Sequence, residues 1–131
     1  MTLTRDDANR IAQAAIAKAE ALGIGINVAV CDGGGRLVVF QRMDNATWAG
    51  IYGSQGKAIA SVAFGRSSGE LQERAAHPTL IGIRLAEGDH MIMGQGAVPI
   101  FREGRVVGAC GVGGGTSQQD EDCAIAGAAA Y

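Results

Sequence analysis

The stretch VAVCDGGGRLVVFQRMDNA, residues 28–46, decides the fold of this chain. The segment from Ile24 to Cys31 is rich in Ile and Val, which favour β-strands. Four turn-forming residues follow it, Asp32-Gly33-Gly34-Gly35, and a second β-rich run occupies residues 36–43. The two runs are therefore predicted to pair as an antiparallel hairpin.

Helices are predicted on both sides of this hairpin. Thr4 and Asp7 have the spacing of a helix N-cap with an acidic partner, and Gly23 is a natural helix end, so residues 4–22 should form an amphipathic helix. After the hairpin, residues 44–47 break the strand and can cap a second helix that begins near Trp48. One face of that helix is an apolar stripe and another is polar: Ile51, Ala58, Ile59, Val62 and Ala63 on the first, Ser54, Lys57 and Ser61 on the second.

The second half of the chain adds short helices and further strands. Ser68 can cap a short helix, and residues 77–88 fit either a helical turn or a loop. Strands are predicted at residues 90–94, 97–101 and 105–112. Pro99 places its strand at a sheet edge or a bulge, and the segment 113–116 leads into a final helix.

This order of elements favours an α+β fold. We expect a central antiparallel sheet of about five strands, with the N- and C-terminal helices packed against it. No internal repeat or linker divides the 131 residues, so a single domain over residues 1–131 is expected.

Composition excludes several classes of function. The net charge is -2 and no run of Lys or Arg occurs, so nucleic-acid binding is not expected. The sequence has no apolar stretch of about 18 residues and no secretory signal pattern, so no membrane association is expected. The three cysteines, Cys31, Cys110 and Cys123, form no CxxC motif. The simplest interpretation is a reducing compartment, the cytoplasm. Cys31 and Cys110 lie on predicted strands and are interpreted as buried, unreactive thiols, although Cys110 near the glycine turn could instead be a nucleophile.

The small size of the side chains predicts association between subunits. The chain has 21 glycines and only 5% aromatic residues, so each side chain buries little apolar area. A small domain also has an unfavourable ratio of surface to volume. Burial of surface between identical subunits compensates for both, and we therefore expect a homo-oligomer.

Four segments, taken together, resemble a known family. They are LTRDDANRIAQAAIAKAEALG (3–23), VAVCDGGGRLVVFQRMDNA (28–46), KAIASVAFGRSSGEL (57–71) and GAVPIFREGRVVGACGVGGGTSQQDEDCA (96–124). In this order and spacing they are similar to the GlcG/HbpS-like family, which includes the C-terminal domain of PduO. The resemblance implies a profilin-like fold and assembly into larger oligomers, from tetramer to octamer. It also implies haem as a possible cofactor, because some members bind or sense haem and some are described as taking part in its degradation.

The glycine-rich segment from Gly108 to Thr116 has two interpretations. It ends a strand and opens a helix, and backbone N–H groups at Gly111, Gly113 and Gly114 can hold a carboxylate or a phosphate there. Alternatively, the glycines only permit a tight turn and close packing between helix and sheet. The segment contains neither a phosphate-loop motif nor the GxGxxG spacing of dinucleotide sites.

Three charged residues are candidates for binding or catalysis. Arg42 ends a predicted strand, Asp44 follows it, and Lys57 lies within a helix of small residues. An arginine can bind a substrate carboxylate, and a partly buried lysine can act as a base or as an electrostatic anchor. The alternative is a structural ion pair between Asp44 and one of the two cations.

Candidate metal and haem ligands are few. Glu70 and Glu73 form an E-x-x-E pair on one helical face, which could bind a hard cation or iron, or could simply be solvated. Such a pair resembles an iron-associated motif of haem-linked relatives. His77, before Pro78, is a candidate axial ligand of haem iron, whereas His90 is interpreted as an ordinary turn residue.

The leading hypothesis is a protein that binds or senses a small ligand, with haem as the candidate. Its pocket is predicted near Arg42, Lys57 and the 111–115 turn, and no other cofactor is expected. The alternative is a cofactor-independent isomerase, lyase or hydrolase that acts on a small carboxylate or carbonyl compound. In that case Lys57 or Asp44 would be the acid or base, and Arg42 with the glycine-turn amides would hold the anion.

Overall fold

A four-stranded antiparallel sheet lies between two helical layers in the computed structural model of the protein, which describes residues 3–131. The elements in chain order are α1 (Arg5–Leu22), β1 (Asn27–Asp32), β2 (Leu37–Arg42), α2 (Gly50–Phe64), a short 3₁₀ helix (Ser68–Arg74), α3 (Pro78–Ala86), β3 (Ala97–Arg102), β4 (Arg105–Gly113) and α4 (Ser117–Ala128). The strand order across the sheet is β2-β1-β4-β3. Helices α1 and α4 cover one face, and α2 covers β1, β4 and β3 on the other.

Helix α1 begins and ends where the sequence predicts. The Thr4 hydroxyl accepts a hydrogen bond from the Asp7 N–H (3.1 Å), and the Asp7 carboxylate accepts one from the Thr4 N–H (2.8 Å). The hydrogen bond from the Thr4 N–H is the largest cause of a lowered pKa at the Asp7 carboxyl, and the hydrogen bond from Arg10 is the next. Gly23 closes the helix in the left-handed conformation, with φ 72°.

The predicted hairpin is confirmed. β1 and β2 are antiparallel, and the Asp32 carboxylate accepts hydrogen bonds from the Gly34 and Arg36 N–H groups in the turn. β1 also pairs with β4, so it lies in the centre of the sheet and all its apolar residues are buried. β2 forms one edge of the sheet, and β3, which contains Pro99, forms the other, as predicted.

The sheet has four strands rather than about five, because residues 90–94 do not form one. The Ile92 N–H donates to the Gly56 carbonyl of α2 (3.0 Å) instead of to a neighbouring strand. Met91 and Met93 pack into a separate small core with Leu71 and Leu80. Residues 77–88, which fitted either a turn or a loop, contain α3, and the His77 side chain caps it.

The predicted cap of α2 is wrong. Its N-cap is Ala49, with no side-chain hydrogen bond, so residues 44–47 break the strand without capping the helix. The face with Ser54, Lys57 and Ser61 is buried, although these side chains are polar. The reason lies on β4, where a Cβ atom on Gly111 would overlap the Ser54 carbonyl oxygen. The helix backbone sits so close to the sheet that only slender side chains fit between them.

No helix formed by residues 3–131 combines the length and the apolar character that crossing a bilayer requires. The profilin-like assignment, the single-domain boundary and the cytoplasmic location stay predictions.

Candidate functional site

The predicted glycine rim lies where β4 runs into the turn before α4. Cβ atoms at Gly111 and Gly113 would press against α2, and one at Gly114, whose φ is 134°, would lie 2.7 Å from the Gly25 carbonyl oxygen. These glycines therefore allow close approach between segments of backbone. None of the three lines any of the four principal cavities among residues 3–131.

Lys57 reaches this turn through a residue that the sequence did not suggest as its partner. Its Nζ lies 3.3 Å from Asp120 Oδ2 and donates to the Gln95 carbonyl (3.4 Å). The other carboxylate oxygen of Asp120 accepts from the Gly115 N–H (2.8 Å). Lys57 and Asp120 are 8% and 4% exposed, so this is a buried ion pair that ties α2 to α4 and to the glycine turn.

Arg42 and Asp44 are both exposed. Arg42 lies opposite Asn27 in the register of β1 and β2, which places it on the α2 side of the sheet. Within residues 3–131, neither Arg42 nor Asp44 forms an ion pair, so the predicted pairing of Asp44 with a cation is absent from the described part of the chain.

The weaker metal and haem candidates lie on the surface. Glu70 accepts a hydrogen bond from the Ser67 N–H (3.1 Å) as part of a capping box, and Glu73 is exposed on the same 3₁₀ helix. Nδ1 of His77 accepts from the Thr79 N–H (3.2 Å) at the start of α3. Among residues 3–131, no three His, Cys, Asp or Glu side chains are grouped so that they could hold a metal ion.

A groove that the sequence did not predict runs along the outer face of α2. Two cavities of about 370 and 360 Å³ share Gln55, Ile59 and His90, so they adjoin as two lobes of one depression, here called the α2 groove. The first lobe lies between α2 and the β1–β2 hairpin, and the second lies between α2 and the segment after α3. The other lining residues are Ala29, Cys31, Gly35, Arg36, Leu37, Ala58 and Glu87 in the first lobe and Tyr52, Gly56, Asp89 and Ile92 in the second.

The groove exists because α2 does not cover the whole sheet. The helix packs over β1, β4 and β3 and leaves the same face of β2 open, so Leu37 is 50% exposed. Tyr52, Gln55 and Ile59 recur at helical spacing on the side of α2 that faces away from the sheet. The remaining two cavities, of about 430 and 280 Å³, lie around Arg102 at the β3–β4 turn and near the C-terminus.

Three of the side chains that line the α2 groove, Arg36, Glu87 and His90, are charged or can be protonated. Arg36 Nη1 lies 3.7 Å from Glu87 Oε1, which links the hairpin turn to the end of α3. His90, interpreted from the sequence as a turn residue, lines both lobes. The sequence signal that could have indicated the groove is the outward set Tyr52, Gln55 and Ile59, since it forms a partly apolar stripe opposite the buried face.

The three cysteines are expected to be unreactive thiols at neutral pH. All three are buried, and for Cys31 and Cys110 this was expected from the sequence. Burial raises the pKa of Cys31 to about 12 and that of Cys123 to about 11, and it raises the pKa of Cys110 as well. At neutral pH the Cys31 thiol at the groove wall is therefore protonated, and it lies within 3.7 Å of the Ala58 carbonyl oxygen.

Comparison with known proteins gives consistent matches over nearly the whole chain. A family model described as haem degrading protein HbpS-like matches residues 3–129. An uncharacterized 15.0 kDa protein of Citrobacter freundii, from the dhaT-dhaS intergenic region, is 33% identical over 91% of this chain and 84% of its own length. The chain is also 28% identical to the corrinoid adenosyltransferase PduO of the same organism, of whose length it spans only 37%.

Solved structures share the architecture. The crystal structure of a PduOC:heme complex superposes with a TM-score of 0.88 at 26% identity, over 100% of this chain and 96% of that one. A double mutant of Streptomyces reticuli HbpS superposes with a TM-score of 0.87 at 31% identity, over 98% and 86% of the two chains.

Proposed function

Because this chain belongs to the HbpS-like family of haem degrading proteins, we propose that it binds haem and that the α2 groove is the binding site. The solved relative in complex with heme supports the choice of ligand. The choice of site has a different basis, which is the shape and chemistry of the groove in this chain. One observation supports this choice of site: two adjoining lobes, with mostly apolar surfaces, meet at the imidazole of His90.

The residues of the groove fit a haem. Ligand sites in proteins typically enclose roughly 300–1,000 Å³ and are mostly apolar with a few placed polar groups. Each lobe reaches the lower end of that range, and the two adjoin at Gln55, Ile59 and His90, so together they offer more room than either lobe alone. Leu37, Ala58 and Ile59 supply apolar contact in the first lobe, and Tyr52 and Ile92 supply it in the second. When bound, haem would supply an iron centre for ligand exchange or redox chemistry.

The rim around Arg42 and Lys57 is a weaker candidate for the same ligand. Lys57 already lies against Asp120 and the Gln95 carbonyl, and it is only 8% exposed. The glycines Gly111 and Gly113 face α2 at close range and leave no room for a macrocycle. The enzymatic alternative with Lys57 or Asp44 as acid or base stays a prediction.

A blocked groove tests this proposal. Gln55 is partly exposed and lines both lobes, so Gln55→Trp should fill their junction without disturbing the buried face of α2. Ala63→Trp adds the same indole at an exposed position of the same helix outside these cavities and is the matched control. The measurement is a haemin titration followed by the Soret band.

We expect wild type and Ala63→Trp to bind with similar dissociation constants and Gln55→Trp to bind about tenfold or more weakly. Equal binding by all three would place the site outside the groove. No Soret change with the wild type would reject haem as the ligand.

We also propose that the protein is a homo-oligomer, from tetramer to octamer. Trp48 and Tyr52 support this, because both rings are about two-thirds exposed (65% and 67%) and pack edge to face, with their centroids 6.4 Å apart. Exposed aromatic pairs of this kind are typical of protein interfaces.

A further inference from the structure

We propose that His90 is the protein ligand of the haem iron in the α2 groove, with Arg36 holding a propionate carboxylate. This inference rests on the proposed function and adds the binding mode. It differs from the sequence-based expectation, in which His77 is the candidate ligand and His90 has no role.

Elimination within the groove favours His90. Haem iron in proteins is ligated by His, Cys, Met or Tyr. Cys31 is 2% exposed, and its raised pKa, about 12, keeps the thiol protonated. Met91 and Met93 are buried in the small core beside α3 rather than in the lining of either lobe. Tyr52 lines only the second lobe, whereas His90 lines both and therefore lies where the centre of a macrocycle would rest.

The backbone around His90 is held on both sides. Gly88 (φ 85°) and Asp89 (φ 63°) adopt left-handed conformations, and the Asp89 carboxylate lies 2.9 Å from Arg84 Nε. On the other side, the Ile92 N–H is bonded to the Gly56 carbonyl of α2 (3.0 Å). The imidazole rests over Gly88, where a Cβ atom would come within 3.3 Å of the ring. A side chain at position 88 would be strained by the positive φ and would crowd the ring.

The nitrogen atoms of His90 are available to a metal. No hydrogen bond to another residue in the range 3–131 engages them, whereas Nδ1 of His77 already accepts one from the Thr79 N–H. His90 is exposed, so its imidazole can approach an iron atom without first leaving a buried partner. His77 is absent from the lining of the same four cavities of the described chain.

Arg36 supplies the matching charge in the first lobe. Its side chain is 74% exposed, and Nη1 lies 3.7 Å from Glu87 Oε1, a distance that leaves the pair weak. A propionate carboxylate can accept two parallel hydrogen bonds from the guanidinium, which is a stronger arrangement than the present one. A carboxylate-bearing macrocycle would therefore lie with its iron near His90 and one acidic edge toward the hairpin turn.

The test compares haemin with metal-free protoporphyrin IX on four variants. His90→Ala should lose the absorption signature of a nitrogen-ligated iron and bind haemin about tenfold or more weakly, yet bind protoporphyrin IX like the wild type. Added imidazole should restore the signature to this variant. His77→Ala, the matched control, should behave as the wild type with both ligands.

Arg36→Gln should weaken the binding of both ligands by about two- to fivefold, the range for an exposed ion pair, without altering the iron signature. Arg66→Gln, at another exposed arginine, is its control. Haemin binding by the wild type with an unchanged signature in His90→Ala would overturn the inference and leave the proposed function standing. Absence of haemin binding by the wild type would overturn both.

Discussion

At the scale of single residues, the pair Lys57 and Asp120 joins three parts of the fold. Both side chains are almost fully buried, so each charge has lost its hydration and depends on the other. Asp120 has one further donor, the Gly115 N–H, and Lys57 has the Gln95 carbonyl. Removing one partner leaves an uncompensated charge in the interior. The resulting loss in the free energy of unfolding is larger than the net contribution of the intact pair.

We therefore predict that Lys57→Met lowers the free energy of unfolding by about 3–5 kcal/mol. The double variant Lys57→Met/Asp120→Leu should recover most of that loss, because it removes both charges. Urea denaturation followed by circular dichroism measures the effect. Arg10→Met, which removes the exposed Arg10–Asp7 pair, should cost less than about 1 kcal/mol and serves as the control.

A loss for Lys57→Met no larger than that of Arg10→Met would contradict the structural role of the pair. Such a result would make Lys57 available for the acid or base role that the sequence suggested. The double variant separates the two roles further. It should recover stability, but it lacks Lys57 and therefore could not recover a reaction in which Lys57 is the acid or base.

At the scale of elements, the close contact between α2 and β4 is possible because Gly111 has no side chain. A Cβ atom on Gly111 would overlap the Ser54 carbonyl oxygen and come within 2.9 Å of the Ala58 Cβ. The first of these is backbone in the middle of a helix and cannot move without its neighbours. The packing of the whole helix therefore limits position 111 to glycine.

We predict that Gly111→Ala lowers the free energy of unfolding by about 1–3 kcal/mol, because the added methyl group overpacks the interface. Gly82→Ala is the matched comparison. It lies inside α3, and no heavy atom comes within 4 Å of the place that its methyl group would take, so alanine should stabilise the helix by about 0.5–1 kcal/mol. Equal effects of both substitutions on urea denaturation would contradict this account of the α2–β4 contact.

At the scale of the whole molecule, one face of the sheet is only partly covered. Helices α1 and α4 cover one side, and α2 leaves β2 open on the other. Trp48 and Tyr52 project near the start of α2 and are among the most exposed large apolar side chains of the described chain. A second copy of the chain would remove such side chains from water, which is the physical basis for expecting an oligomer.

We predict that the wild type elutes at several times the monomer mass in size-exclusion chromatography with light scattering, and that Trp48→Ser shifts the mass downward. Ile125→Ser removes a comparably exposed apolar residue from α4 and should leave the mass unchanged. A monomeric wild type at low micromolar concentration would refute the oligomer. An equal shift in both variants would refute the role of Trp48.

The sequence alone determined those features that depend on neighbouring residues. The Thr4–Asp7 capping box, the Gly23 end of α1 and the hairpin around Asp32 were all predictable, because each depends on spacings of a few residues. The family was predictable too, from four segments in a fixed order. The strand at 90–94 was predicted wrongly, since its apolar residues fit a strand pattern but pack beside α3, and the Ile92 N–H bonds to α2 instead.

Only the tertiary structure decided the candidate site. Lys57 and Asp120 are 63 positions apart in the chain, and nothing local indicates that they meet. His90 becomes part of the α2 groove only because the segment after α3 folds back onto α2, far from the hairpin that forms the other wall. Local patterns fix the elements because hydrogen bonds and caps act over short spacings, whereas a site is formed by the packing that brings distant segments together.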